Sequence, residues 1–328
     1  MSPRIGIVSL AHMHAYGYLT ALTRSTSATF VGITDPDGGR AQKAATDHGT
    51  RFFENPADLL AQNLDGVIIT SENANHRRDL ELCVAAGVKN ILCEKPIAAT
   101  IHDAQAMLDL CARSEVNLAT AFPCRYSPAF IRLREQVASG VLGQILAIRG
   151  TNRGSMPGGW FVDTELSGGG AVIDHTVHVA DLNRYLLGSE ATEVYAEIGN
   201  GFYHQSWEDT GFLNISYSNG VFATLDTSWS RPKTYPTWGD VTMQVVGTGG
   251  CADFDMTAQF LLQYDDAANR VHQLGWGSDL DAGMIADFLT LCRGEKPISL
   301  ATGFDGLMAL RVAAAAYESA KAGQPITL

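Results

Sequence analysis

The feature that most constrains this chain is the alternation of short apolar runs with helical patterns through its first 121 residues. Apolar runs at 4–9, 28–34, 66–70, 90–93 and 117–121 have the length of strands. Helical periodicity fills the intervals at 14–25, 40–48, 55–62, 75–86 and 100–114, and a further short strand is expected at 51–53. Val67, Ile68 and Ile69 form an unbroken apolar run, as expected of a parallel strand covered on both faces. Gly87 follows the 75–86 pattern as a helix stop. Strands that alternate with helices in this way build a doubly wound parallel sheet.

The pattern changes after residue 122. Helices are expected at 129–139 and 171–187, with a strand at 145–151 between them. From 193 to about 264, strands follow one another, punctuated by turn signals at Ser218-Asn219-Gly220 and Gly247-Thr248-Gly249-Gly250. Helices at 282–292 and 303–322 close the chain. Strands grouped in this way argue a mostly antiparallel sheet, so the expected organisation is a nucleotide-type α/β domain at 1–122 and an α+β domain at 123–328.

Composition removes several partners. A net charge of −12 over 328 residues repels phosphate backbones, which argues against nucleic acid and anionic membranes. No apolar run approaches a membrane span. The N-terminus shows no basic segment leading into an apolar leader. Six scattered cysteines without a CxxC pair read as reduced thiols, so a cytoplasmic protein is expected.

In a dinucleotide-binding fold, glycines after the first strand allow a tight turn and close approach of the pyrophosphate. Here Ser9, Ala11 and His14 occupy those places, with His12 between them. Asp35 ends the second strand, where a carboxylate accepts hydrogen bonds from ribose hydroxyls and repels a 2′-phosphate. That favours NAD over NADP. Asp35-Pro36-Asp37 also suits a plain turn, and Arg40 either folds over the adenine side or is a solvated helix-start residue.

Several motifs then fall in a telling order. Asp35-Pro36-Asp37-x-x-Arg40-Ala41 follows the second strand, Ser71-Glu72-Asn73-x-x-His76 a later one, and Glu94-Lys95-Pro96 another. Gly168-Gly169-Gly170-x-x-x-Asp174-x-x-x-His178-x-x-Asp181 opens the long helix. With Arg125-Tyr126-Ser127-Pro128, Gly140-Val141-Leu142-Gly143 and Glu208-Asp209-Thr210, the chain resembles the glucose–fructose oxidoreductase / inositol dehydrogenase / rhizopine catabolism (Gfo/Idh/MocA) family over nearly its whole length. The resemblance implies an N-terminal Rossmann domain and a C-terminal α+β domain with a large, mostly antiparallel open sheet. That sheet commonly packs against another subunit, giving homodimers or homotetramers. The resemblance also implies NAD(P), a carbohydrate-like substrate and a cis bond before Pro96. Its catalytic lysine matches Lys95, and its Asp and His match Asp174 and His178. Ser9, Ala11, His12, Asp35, Arg40, Ser71, Asn73, His76, Glu94 and Lys95 fall on the cofactor side. The chain departs from the family in its glycine loop, and at His175 and Thr176, the latter standing where many members have Gly.

The chemistry suits these residue types. Oxidising a secondary alcohol needs a base for the hydroxyl proton and an acceptor for the hydride, which nicotinamide supplies. His178 is the natural base. Asp174, four residues earlier, shares its helix face and either orients the imidazole or binds a neighbouring hydroxyl. Lys95 brings a cation to a developing alkoxide. Arg125, Tyr126, Arg153 and Trp160 are substrate-side candidates, the last following a glycine-rich loop at 154–159, with Trp229 and Arg231 also considered. His175 is either a substrate contact or a packed core histidine. No metal is expected, because neither His12/His14 nor Asp174/His175/His178 has an evident further ligand in the sequence. The leading reading is an NAD-dependent sugar or polyol dehydrogenase. The alternatives are a glycosidase-type enzyme that oxidises, eliminates and re-reduces, and a non-catalytic sugar- or nucleotide-binding relative.

Overall fold

The computed structural model describes residues 2–275 and 277–328, which form two compact units. The first comprises the chain up to Pro123 together with Gly159–Gly169 and Asp281–Arg311. Its elements run β1 (Arg4–Val8), α1 (Ala15–Arg24), β2 (Thr29–Thr34), α2 (Gly38–His48), α3 (Pro56–Leu60), β3 (Gly66–Ile69), α4 (His76–Ala85), β4 (Asn90–Cys93), α5 (Ile101–Ser114) and β5 (Asn117–Thr120). The strands are parallel in the order β5-β4-β3-β1-β2, and Ala301–Thr302 adds an antiparallel edge to β5. In register, Ile7 pairs with Ile33 on one side and Ile68 on the other, and Ile68 pairs with Leu92. All four of these side chains are fully buried, each contributing about 1.5–3 kcal/mol. Because β1 lies between β2 and β3, the chain reverses its winding there, and the carboxyl ends of β1 and β3 form the switch point where such sheets bind ligands.

Local capping explains the helix limits. Helix α2 begins two residues before its expected start because the Asp37 carboxylate accepts from the Arg40 N–H. Asn55 and Thr100 cap α3 and α5 in the same way. The strand expected at 51–53 is reduced to a single bridge between Phe52 and Ile33.

The second unit comprises Cys124–Gly158, Gly170–Leu280 and Val312–Leu328. It contains α6 (Pro128–Ala138), β6 (Ile145–Gly154) and, after the short turn α7 (Thr164–Ser167) of the first unit, the long helix α8 (Ala171–Leu187). There follow β7 (Ala191–Gly199), β8 (Thr210–Tyr217), β9 (Phe222–Asp226), β10 (Gly239–Gly247), β11 (Gly250–Asp255), β12 (Phe260–Asp265) and β13 (Arg270–Gly275). The sheet order is β11-β10-β6-β9-β8-β7 with Ile326–Thr327 at the edge, antiparallel throughout except for the β6/β9 pair. Strands β12 and β13 form a separate hairpin. Helix α8 lies on this sheet because Gly150 and Gly211 lack side chains beneath it. A Cβ at these positions would sit 2.9 Å from Val179 Cγ1 and 2.6 Å from Val172 Cγ2.

A single division at 122/123 therefore misses two returns of the chain to the first unit. Helix α9 (Leu280–Cys292) places Phe288 and Cys292 over Gly66, and the start of α10 (Gly303–Ala322) packs Gly303 on Leu118. Among the described residues, no helix is long and apolar enough to cross a membrane, and no disulfide forms.

Candidate active site

The loop after β1 turns without its usual glycine. Ser9 adopts φ of 68°, the left-handed conformation that explains why glycine is favoured there. Its N–H donates to Thr34 O at 2.7 Å, and its hydroxyl oxygen accepts from the Ala11 N–H at 3.2 Å. Asp35 is tied to the same loop, accepting from the Leu10 N–H, from the Asp37 N–H at 2.6 Å and from the Arg40 guanidinium at 2.8 Å. A cavity of about 290 Å³ opens beside it, lined in part by Ser9, Asp35, Pro36, Glu54, Arg78 and Asp79.

This cavity fits the adenosine end of a dinucleotide. It opens at the carboxyl ends of β1 and β2 and offers a buried carboxylate, Asp35, which disfavours an additional phosphate there. At the end of β3, Ser71 Oγ is buried with no hydrogen-bond partner among the described residues, as expected of a group that waits for a ligand. The Asn73 amide donates to Ser167 O at 2.8 Å, joining the β3 loop to the 159–169 segment.

Three further expected residues of this unit have partners within it. His76 is fully buried, with Nδ1 3.2 Å from Ile97 O and Nε2 3.0 Å from Ser71 O, and burial pushes its pKa down. It braces two backbone segments. Glu94 is likewise fully buried. Tyr18 donates to its Oε1, His14 Nδ1 lies 3.2 Å from the same oxygen, and the Lys95 N–H donates to Oε2 at 2.8 Å. Burial alone would raise the Glu94 carboxyl pKa, but His12, His14 and Lys95 together hold it well below the carboxylate range. Trp160 packs against the loop after β1. Its indole N–H donates to Ala11 O at 3.1 Å and its ring stacks on Phe161 at 4.0 Å. Lys95 itself is 3% exposed at the end of β4, and the Lys95–Pro96 bond is cis.

In the second unit, α8 begins at a glycine that cannot cap it. Glu208 supplies the cap, accepting from the Gly170 N–H at 2.6 Å and the Val172 N–H at 3.1 Å. The Tyr317 hydroxyl donates to Glu208 Oε1 at 2.6 Å and accepts from the Ile173 N–H at 3.2 Å. Burial and the adjacent Glu208 push the Tyr317 phenol well above its ordinary pKa. Glu208→Ala is expected to cost about 1–2 kcal/mol by exposing the helix start, with Glu208→Gln losing less because it keeps an acceptor oxygen. Urea midpoints of the two variants measure the difference.

Helix α8 carries the expected pair. Asp174 Oδ2 accepts from the Trp229 indole N–H at 3.3 Å and lies 3.3 Å from His175 Nε2. His178 Nδ1 lies 3.6 Å from Cys124 Sγ. His175 is fully buried against the Trp229 and Trp238 rings, the packing expected of a core histidine. Arg125 is ion-paired. Its guanidinium forms a bidentate pair with Asp181 at 2.7 and 2.6 Å and lies over the Tyr185 ring. Arg153 shares Asp240 with Arg231 but keeps a partly exposed side chain, and Tyr126 is half-buried.

Residues 4–122 match the family model described as the oxidoreductase family with an NAD-binding Rossmann fold, and residues 130–253 match the Gfo/Idh/MocA C-terminal domain. The chain belongs to the Gfo/Idh/MocA oxidoreductases. It is 29% identical to the D-glucoside 3-dehydrogenase of Escherichia coli, covering 96% of this chain and 93% of that protein. It is 26% identical to inositol 2-dehydrogenase 2 of Saccharopolyspora erythraea, covering 98% and 94%. GenD2 from gentamicin A biosynthesis, solved in complex with NAD, superposes with a TM-score of 0.90 at 24% identity over 99% of this chain and 96% of its own. As a Gfo/Idh/MocA protein this chain is an NAD-binding oxidoreductase. Cys124, beside His178, and Glu208 and Tyr317, at the start of α8, are contacts that sequence reasoning left without a role. Glu208 stood in a quoted motif, but its partner Gly170 lies 38 residues away, beyond any local signal.

Proposed function

We propose that this oxidoreductase acts on a secondary alcohol of a sugar, glycoside or inositol-like polyol. The observation that carries the reading is the burial of Lys95, Asp174 and His178, which are 3%, 5% and 7% exposed. Charged side chains are rarely buried this deeply, and here a lysine, an aspartate and a histidine of the expected motifs all are. NAD supplies the hydride acceptor. The Lys95 ammonium stabilises negative charge on the alcohol oxygen. His178 removes the hydroxyl proton through Nε2, since Nδ1 faces the Cys124 thiol. Asp174, anchored by Trp229, accepts a hydrogen bond from a neighbouring substrate hydroxyl. Tyr126 and Arg153 complete the substrate side.

The test is a panel of inositols, aldoses and glycosides incubated with NAD, following both reduced nicotinamide and aglycone release. Reduced cofactor should accumulate with at least one member. Aglycone release without net reduction would identify the redox-cycling alternative, and cofactor binding without turnover of any member would overturn the reading.

The carboxylates of Asp35, Glu54 and Asp79 around the adenosine cavity also set a cofactor preference. NAD should bind at least about tenfold more tightly than NADP, roughly 1.4 kcal/mol or more. Calorimetric titration with each nucleotide decides it, and equal affinities would remove the role given to Asp35.

The assembly we propose is a homodimer or homotetramer through the open sheet, whose outer face exposes Phe212 and Phe222 at 58% and 57%. The mass measured by light scattering should be a multiple of the 35.2 kDa chain. We assign the protein to the cytoplasm on the strength of its cysteines, which are free among the described residues.

A further inference from the structure

The loop that lacks glycines carries two imidazoles in their place, and both face one carboxylate. His12, His14 and Glu94 each present one ligating atom, and these atoms all lie within 4.8 Å of one another. Glu94 Oε1 is 3.2 Å from His14 Nδ1 and 3.9 Å from His12 Nδ1. In a tetrahedral site with bonds of about 2.0–2.1 Å, neighbouring ligand atoms are separated by roughly 3.4 Å. The observed spacings bracket that value, so small side-chain rotations close the geometry.

Metal binding at His12 Nδ1 would release the hydrogen bond that this nitrogen accepts from the His14 backbone N–H at 3.2 Å. Two further observations support a built site. The carboxylate is oriented from outside by the Tyr18 hydroxyl on Oε1 and by the Lys95 N–H on Oε2, the kind of outer contact that fixes ligands in metal sites. The His12 ring is held against Phe161 at 5.2 Å and Trp160 at 5.9 Å. Glu94 and His12 are buried, while the His14 side chain is 29% exposed and gives an entry path.

We propose that His12, His14 and Glu94 form a binding site for one borderline divalent transition-metal ion of the zinc class. Two imidazoles and one carboxylate suit zinc, cobalt or nickel, and the nitrogen ligands disfavour magnesium and calcium. Three protein ligands would leave a fourth position for water or a ligand, as in catalytic-type zinc sites. The proposal is independent of the substrate reading, because all three ligands belong to the first unit and binding is measured without turnover.

The test is a titration of the whole purified protein, stripped with chelator, with Co(II) followed by visible absorption. One equivalent should produce ligand-field bands of four- or five-coordinate intensity, and Zn(II) should displace them. His14→Ala, a change at the partly exposed ligand, should weaken Co(II) binding at least tenfold in protein that still unfolds cooperatively without metal. His12→Gln should do the same. Exposed His102, 84% accessible in its side chain, is the control, and His102→Ala should bind as the unaltered protein does. Absence of the bands, or bands that persist in both His12→Gln and His14→Ala, would overturn the site and leave the cluster as a hydrogen-bonded brace of the loop.

Discussion

His178→Ala should lower kcat by about 10²–10⁴, the range for loss of a positioned general base. NAD affinity should be unchanged, because His178 belongs to the second unit and the nucleotide cavity is built wholly within the first. Lys95→Met should lower kcat by about 10²–10³, as for removal of one group that stabilises developing negative charge. Each variant is measured by steady-state kinetics, with calorimetry of NAD binding as the second readout. The two losses should not add. Proton removal and charge stabilisation serve one transition state, so the double variant should be only modestly slower than the worse single one. Cys124→Ala should have a smaller effect than either, since it only removes the thiol facing His178 Nδ1. Near-normal turnover in either the His178 or the Lys95 variant would refute the mechanism. Normal kcat with a raised KM would place the residue in substrate binding alone.

Asp181→Ala is expected to destabilise the second unit by about 3–5 kcal/mol, the cost of leaving a buried charge without its partner. Arg125 and Asp181 are 3% and 0% exposed, and their two short hydrogen bonds form a parallel fork. Removing the carboxylate strands a guanidinium that stacking on Tyr185 cannot neutralise. The melting temperature should fall on the order of ten degrees. Replacing both partners together, Arg125→Met with Asp181→Leu, should recover most of that loss, because a well-packed apolar pair avoids the desolvation penalty altogether. A double variant as unstable as Asp181→Ala would show that Arg125 serves something other than this pair.

Both predictions concern α8, and they show how differently its residues could be read from sequence. The helix itself was legible, because Gly168-Gly169-Gly170 and the stop at Gly188 bracket it locally. Asp174 and His178 were legible because i and i+4 share a helix face. Asp181 stood in the same motif, yet its partner lies 56 residues away, and Arg125 looked instead like a substrate ligand. His175 shows the same limit. Only the arrival of Trp229 and Trp238 around its ring decides that it is packed.

The nucleotide loop makes the point in a second way. Sequence alone determined that a turn follows β1 and that Asp35 ends β2, since both follow from strand periodicity and residue chemistry. It also determined the parallel sheet, because alternating local elements admit few windings. That Ser9 takes a left-handed φ, that Glu94 joins His12 and His14 across some 80 residues, and that segments 159–169 and 281–311 return to the first unit were decided by tertiary structure alone. The physical reason is common to all three. Periodicity and capping act within a few residues, whereas a carboxylate finds its imidazoles only when the folded sheet brings the ends of β1 and β4 to one edge.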